Sequence, residues 1–575
     1  MVPRPGTASP PAPAGDTGVP NLPVEDWSPG RTGQVLVGGL AVLTIVRAWI
    51  LLTVSTPFLF ADETVGFAVA RFLSGHDVEV AGPSGRPLLG ALLTPIAALT
   101  DNPRVLHLGA LGLNVIFGSA LVPLLYFSGR RMLGHRRSES AIIALAGSGS
   151  AAAIAFTAIS FPEQLLTFVT TASVPLLWRA ISQAGRLKLA LTAAGVAAAF
   201  SATHPRGDAL ALAVIISMGL AGLRNQLSRT SAMTAAAAAL AVTVAVMQAA
   251  SYINSRIYVG PANSSYSVTD IVSDSIAQPD LLVRAGIGSA WYVVIATLGL
   301  AVLGGIAIID QLRSPHADLA FTAQYVALAV LGSVAASSLF VSLIMQDQGR
   351  VDSFAYGRYV EHLLPVLLLY SPSLWNRAWA RRSALAVSLS VIAAGAVVSV
   401  VAYEPQFWTG PTLKTNIPML WWLWERPDPV QPWIASVAAA GLVVTMTIAL
   451  ASRRGRSLAI GGLTAAATCT AVLLVQRNIA PYADYVAEWR PAATALHTEQ
   501  ATNVAVITDD YPGLWRHLIQ FWATDAEFDH VQTSGSVAQD AQWFLTTGSG
   551  VLPVGRTGEV AYRFPDQDTV IWRLD

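Results

Sequence analysis

The residues able to do chemistry in this chain are few, and they gather in four places. TPFLFADETVGFAVARFLSGHDV, Thr56–Val78, sets Asp62 and Glu63 side by side directly after a long apolar run. ISFPEQLLTF carries Ser160 and Glu163, and ATHPRGDAL carries His204, Arg206 and Asp208. DSFAYGRYVEHLLPVLLLY carries Arg358, Tyr359, Glu361 and His362, with Arg350 just before it. Ionisable side chains near membrane depth are costly and commonly mark a working site. A carboxylate can take the proton of an attacking hydroxyl. Guanidiniums can hold a phosphate and stabilise it as it leaves. Together they suit transfer from an anionic, lipid-linked donor to a hydroxyl acceptor.

Each place also has a plainer use. Asp62 fits the N-cap of the amphipathic helix ETVGFAVARFL, where a carboxylate favours the positive helix end. Ser160 and Glu163 fit an S-x-x-E capping box with proline in the first turn. HPRGD reads as an ordinary interfacial turn, or as an arginine beside a helix N-terminus where a phosphate would sit. Arg358, Glu361, His362 and Pro365 fall at i, i+3, i+4 and i+7, one stripe of an expected tenth spanning helix; an Arg358–Glu361 pair alone would account for two of them.

The elements that must position these groups are membrane helices. The 575 residues are 53% hydrophobic and 12% charged, with a mean hydropathy of +0.52. Soluble domains carry about 25% charged residues, so the class is a polytopic α-helical membrane protein. Zero net charge argues against a nucleic-acid partner, and a single cysteine, Cys469, rules out an internal disulfide. Apolar runs of spanning length fall near 32–54, 104–127, 139–159, 162–181, 187–203, 206–223, 232–251, 287–309, 319–345, 356–373, 383–402, 432–451 and 457–476, about thirteen helices. Pro87–Leu99 is too short to span and reads as an interfacial or re-entrant helix. Basic connections such as GRRMLGHRR (Gly129–Arg137) and NRAWARR (Asn376–Arg382) alternate with acidic ones. By the positive-inside rule the N-terminus is cytoplasmic, and the four chemical places and the C-terminal segment lie outside. Residues 1–31 read as a disordered tail without signal-peptide character, 32–476 as the multi-span domain with its first outer loop at 55–103, and 477–575 as a small extracytoplasmic α/β domain. Its strands are expected at NVAVITDD, AQWFLTT, EVAYRF and TVIWRLD, with a helix at Pro512–Thr524.

The pattern resembles the GT-C superfamily of membrane glycosyltransferases, in the branch with protein O-mannosyltransferases, the lipid A aminoarabinose transferase and actinobacterial cell-wall transferases. Three segments carry the resemblance: ADE (Ala61–Glu63) after the first span, GPSGRPLLGALLTPIAAL (Gly82–Leu99), and GRYVEHLLP (Gly357–Pro365). It implies an inverting transferase that moves sugar from a polyprenyl-phosphate donor, among membrane lipids, to a glycan, lipid or protein hydroxyl outside the plasma membrane. Asp62, with Glu63 beside it, takes the role of base. Arg358, with Arg206, Arg350 and His204, faces the donor phosphate. Glu163, Asp208, Tyr359, Glu361 and His362 line the acceptor side or cavity. No cofactor is required; a divalent cation would bind at Asp62 and Glu163. The Ala-, Arg- and Gly-rich composition fits the cell envelope of a high-GC actinobacterium. A lipid or glycolipid transporter or flippase, and a non-catalytic envelope assembly protein, remain as alternatives.

Overall fold

The computed structural model describes residues 26–487 apart from 55, 58–60, 77, 79–84, 184, 258–267, 348–354, 403–413 and 425–431, and beyond 487 it describes five strands and residue 557. The first apolar run forms helix α1, Pro29–Thr53, which starts inside the expected tail because Ser28 accepts from the Arg31 N–H and Pro29 fills the first turn, where its missing N–H costs nothing. Asp26 secures that start against a later helix: it accepts from the Arg137 and Ser138 N–H groups and the Ser138 hydroxyl. The loop after α1 holds two short helices, α2 (Ala61–Leu73) and α3 (Pro87–Ala97), whose apolar faces pack together. Helix α4, Pro103–Arg131, is capped by Asn102.

The third expected span is broken. Helices α5 (Arg137–Ser148) and α6 (Ala151–Ala155) are separated at Gly149–Ser150, and the pair is bent by 55°. Four helices follow: α7 (Glu163–Ser182), α8 (Arg186–Thr203), α9 (Gly207–Leu223) and α10 (Arg229–Ile257). After α11 (Val268–Ala277), the eighth expected span is also split, into α12 (Pro279–Thr297) and α13 (Leu300–Gln311), by left-handed backbone at Leu298 and Gly299. Helix α14 is Ala317–Asp347.

The tenth span departs most from expectation. Gly357–Tyr359 and Glu361–Leu363 are 3-10 turns, and only Leu364–Tyr370 is α-helical (α15). Proline inside a helix loses a hydrogen bond and clashes with the carbonyl four residues back. Here Pro365 sits in the first turn of α15 instead, where neither cost arises. Arg358, Glu361 and His362 therefore do not form a stripe on one α-helix. Helices α16 (Ala378–Ala402), α17 (Pro432–Ala449), α18 (Arg453–Leu474) and α19 (Ala480–Ala487) complete the bundle, the last two joined through a π-helical turn at Val475–Ile479.

Among the described residues nine helices are long and apolar enough to cross a membrane, or ten with the bent pair as one span. The other expected places hold α8, α9 and the 3-10 segment ahead of α15. The main core runs through α1, α4 to α9, and α13 to α15, around Phe161, Phe200, Phe321, Tyr325 and Trp375. At the C-terminus strands β1 (Val504–Ile507), β2 (Phe528–Val531), β3 (Trp543–Thr546), β4 (Gly558–Arg563) and β5 (Val570–Leu574) form one sheet in the order β2-β1-β3-β5-β4. β1 runs parallel to β2 and β3, and β5 antiparallel to β3 and β4. The helix expected at Pro512–Thr524 lies outside the described residues.

The turn from α8 into α9 is tight enough to need glycine: a Cβ on Gly207 would lie 2.0 Å from the Phe200 carbonyl oxygen. Gly207→Ala should therefore cost about 1–3 kcal/mol as an overpacked contact. Thermal unfolding of the detergent-solubilised protein reads this directly, and an unchanged midpoint would refute the close approach.

Candidate functional site

Glu163 opens α7 without any side-chain cap, since Pro162 occupies the N-cap position. The expected capping box with Ser160 is absent because both partners are committed elsewhere. The Ser160 hydroxyl donates to Glu63 Oε2 at 2.8 Å, and Glu163 Oε1 accepts from two guanidiniums. Arg206 Nη2 lies at 2.8 Å and Arg358 Nε at 2.5 Å from that one oxygen. All three side chains are buried, with 3%, 10% and 5% of Glu163, Arg206 and Arg358 exposed. Two guanidiniums thus share one carboxylate oxygen. Buried charges persist only when paired and hydrogen-bonded, and the trio is cross-linked accordingly: Arg206 Nη1 donates to the Arg358 carbonyl at 2.9 Å, and the Arg358 N–H to the Asn416 carbonyl at 2.9 Å.

Aromatic rings close the arrangement. Arg206 lies 4.3 Å over the Tyr359 ring and Arg358 4.2 Å over Phe161, positions where the ring faces attract a cation. Tyr356 packs on Tyr359 at 4.4 Å. His204 is half-buried in the α8–α9 turn; desolvation, and then the neighbouring guanidiniums, hold its imidazole well below its ordinary pKa. As a neutral ring it accepts from the Arg206 backbone N–H through Nδ1 at 3.1 Å. It thereby orients Arg206, whose Nε also lies 3.3 Å from Nδ1.

The other expected site residues divide. Asp208 pairs with Arg86, which joins α9 to the start of α3. Glu361 accepts from the Tyr292 hydroxyl of α12, and His362 Nε2 lies 3.2 Å from the Ser333 hydroxyl of α14. Glu361 therefore bonds to Tyr292, not to Arg358 as a helical i, i+3 pair would have it. Gly357 makes this possible, because a Cβ there would lie 2.3 Å from the Tyr292 ring. Glu63 is fully buried and held by Ser160. Asp62 stands one residue before it, in the first turn of α2 rather than ahead of it, and its side chain lies outside the described residues, as does Arg350. Among the described residues no three His, Cys, Asp or Glu side chains gather as a metal site. Glu163, expected with Asp62 to hold a cation, gives one oxygen to two guanidiniums.

Sequence reasoning missed Arg47. It lies in the apolar heart of α1, has no exposed surface, and donates to the Ser148 carbonyl at 2.5 Å and the Ser148 hydroxyl at 3.0 Å. A guanidinium there meets the carbonyl end of α5, where the helix dipole favours a cation. The signal was available: an arginine in mid-span is expensive unless it faces a partner.

Removing the shared anion should be severe. Glu163→Ala takes the shared carboxylate from both guanidiniums, and breaking a buried pair costs about 3–5 kcal/mol. A thermal midpoint equal to wild type in the same detergent would show that the trio does not support the fold.

No protein-family model and no curated protein matches the sequence. Solved structures do. ArnT from Cupriavidus metallidurans, bound to undecaprenyl phosphate, superposes with a TM-score of 0.56 at 13% identity, covering 94% of this chain and 98% of ArnT. The apo ArnT structure gives 0.53 at 13% identity over the same shares. Along nearly its whole length, the chain has the fold of ArnT.

Proposed function

We propose that the protein is an inverting glycosyltransferase that moves a sugar from a polyprenyl-phosphate donor to a hydroxyl acceptor of the cell envelope, on the outer side of the membrane. The observation that carries this reading is the convergence of two guanidiniums, Arg206 and Arg358, on Glu163 at the start of α7, where Ser160 bonds to Glu63 at the acidic start of α2. The ArnT likeness supports it at the level of fold, and the ligand in one ArnT structure, undecaprenyl phosphate, has the chemistry the trio would attract.

Arg206 and Arg358 meet the donor phosphate, and the planar guanidinium fork suits its oxygens. As the glycosidic bond to phosphate breaks, negative charge grows on the leaving oxygen, and the two guanidiniums stabilise it in a site with little water. Asp62 takes the proton of the acceptor hydroxyl as that oxygen attacks the anomeric carbon from the opposite side. Glu63, bonded to Ser160, fixes the first turn of α2 against the entry to α7 and so positions its neighbour. Asp208 with Arg86 holds α3 to the same corner.

The test supplies radiolabelled polyprenyl-phosphate sugars and an envelope acceptor fraction to protein in lipid. Wild type should transfer label, and Asp62→Asn should lower the rate by about 10²–10⁴-fold, the usual worth of a positioned base. Transfer by Asp62→Asn at the wild-type rate would remove Asp62 from the mechanism. No transfer from any donor by folded wild type would refute the transferase.

A further inference from the structure

We propose that a groove between α4 and α7 binds an anionic glycerophospholipid of the cytoplasmic leaflet. The groove measures about 560 Å³. Its walls are apolar, with Leu124 and Phe127 of α4 facing Phe168 and Trp178 of α7, and proline rings from both helices, Pro123 and Pro175, line it. Its end carries two arginines, Arg131 from the last turn of α4 and Arg179 from the last turn of α7. Both are exposed, and neither has an acidic partner among the described residues. Arg131 rests 5.7 Å over the Phe127 ring. The nearest acid on this side, Asp318, accepts from Trp178 Nε1 and the Ser182 hydroxyl, each at 2.9 Å. An acyl-length apolar trough ending in two unpaired guanidiniums is complementary to a lipid with a negative headgroup, and basic pockets between membrane helices take such headgroups.

The site is separate from the proposed donor site. Helix α7 runs from Glu163 to Ser182, and the sixteen steps from Glu163 to Arg179 span about 24 Å at 1.5 Å per residue, most of the ~30 Å apolar layer. The arginines thus stand at the opposite membrane face from the trio, on the side that the basic connections assign to the cytoplasm. An outer-leaflet donor phosphate does not reach them.

The experiment uses the full chain in phosphatidylcholine nanodiscs, with phosphatidylglycerol bearing a photoreactive acyl chain as the probe. Label mapped by mass spectrometry should concentrate on Ala120–Met132 and Phe168–Gln183. Arg131→Gln with Arg179→Gln should reduce it roughly tenfold or more, as expected for two juxtamembrane arginines. Leu124→Trp, which fills the trough without changing charge, should reduce it as well. Equal labelling by a phosphatidylcholine probe would overturn the proposal, as would label that persists in the double variant. Displacement of the label by an equimolar polyprenyl phosphate would reassign the groove to the donor lipid.

Discussion

One carboxylate oxygen, Glu163 Oε1, holds this corner of the protein together. It draws Arg206 from the α8–α9 turn and Arg358 from the 3-10 segment onto the start of α7. Three elements far apart in sequence are thereby fixed at one point, in surroundings where water cannot screen the charges. The same contact decides what the corner can bind. Two guanidiniums gathered at one carboxylate present a cluster of planar donors of the kind that suits a phosphate. Stability and binding thus draw on one arrangement, which is why the arginines are packed on Phe161 and Tyr359 instead of being left mobile.

The fold makes room for this corner by interrupting helices. Backbone groups freed inside a membrane must be satisfied by protein. At the α5–α6 break the Arg47 guanidinium takes the Ser148 carbonyl. Asn114 of α4 does the same nearby, donating to the Phe156 and Ile159 carbonyls at 3.0 and 2.8 Å where the chain leaves α6 for α7. The irregular run from Gly357 to Leu363 leans on Asn416 and Tyr292. In each of these places a polar side chain or a neighbouring carbonyl serves the chain where a helix is interrupted.

Much of this was legible in the sequence, for reasons that differ by residue. Long apolar runs must be membrane helices, so α1, α4, α7, α10, α14 and α16 to α18 follow from hydropathy alone. The four places rich in ionisable groups were also readable, and three of them meet at Glu163, Arg206 and Arg358. Periodicity failed at Arg358–Pro365, because the i, i+3, i+4 spacing fits a helical stripe equally well when the chain is 3-10 and turns each side chain elsewhere. The capping motif failed at Ser160 and Glu163 for a related reason: S-x-x-E satisfies a helix end only when neither residue has a stronger partner across the fold. The breaks at Gly149 and at Leu298–Gly299 were hidden because apolar runs on either side join without a polar gap. Long-range partners, such as Arg86 for Asp208 and Tyr292 for Glu361, carry no signal in a single sequence.

The central claim is that Arg206 and Arg358 together receive the phosphate of a lipid donor, and equilibrium binding of a polyprenyl phosphate to Arg206→Gln tests it most directly. That variant removes one of the two guanidiniums and leaves Glu163 paired with Arg358. Affinity should fall about tenfold or more, the equivalent of about 1.4 kcal/mol, with thermal stability close to wild type. Unchanged affinity in a variant that is equally stable would contradict the account and return the trio to a purely structural role.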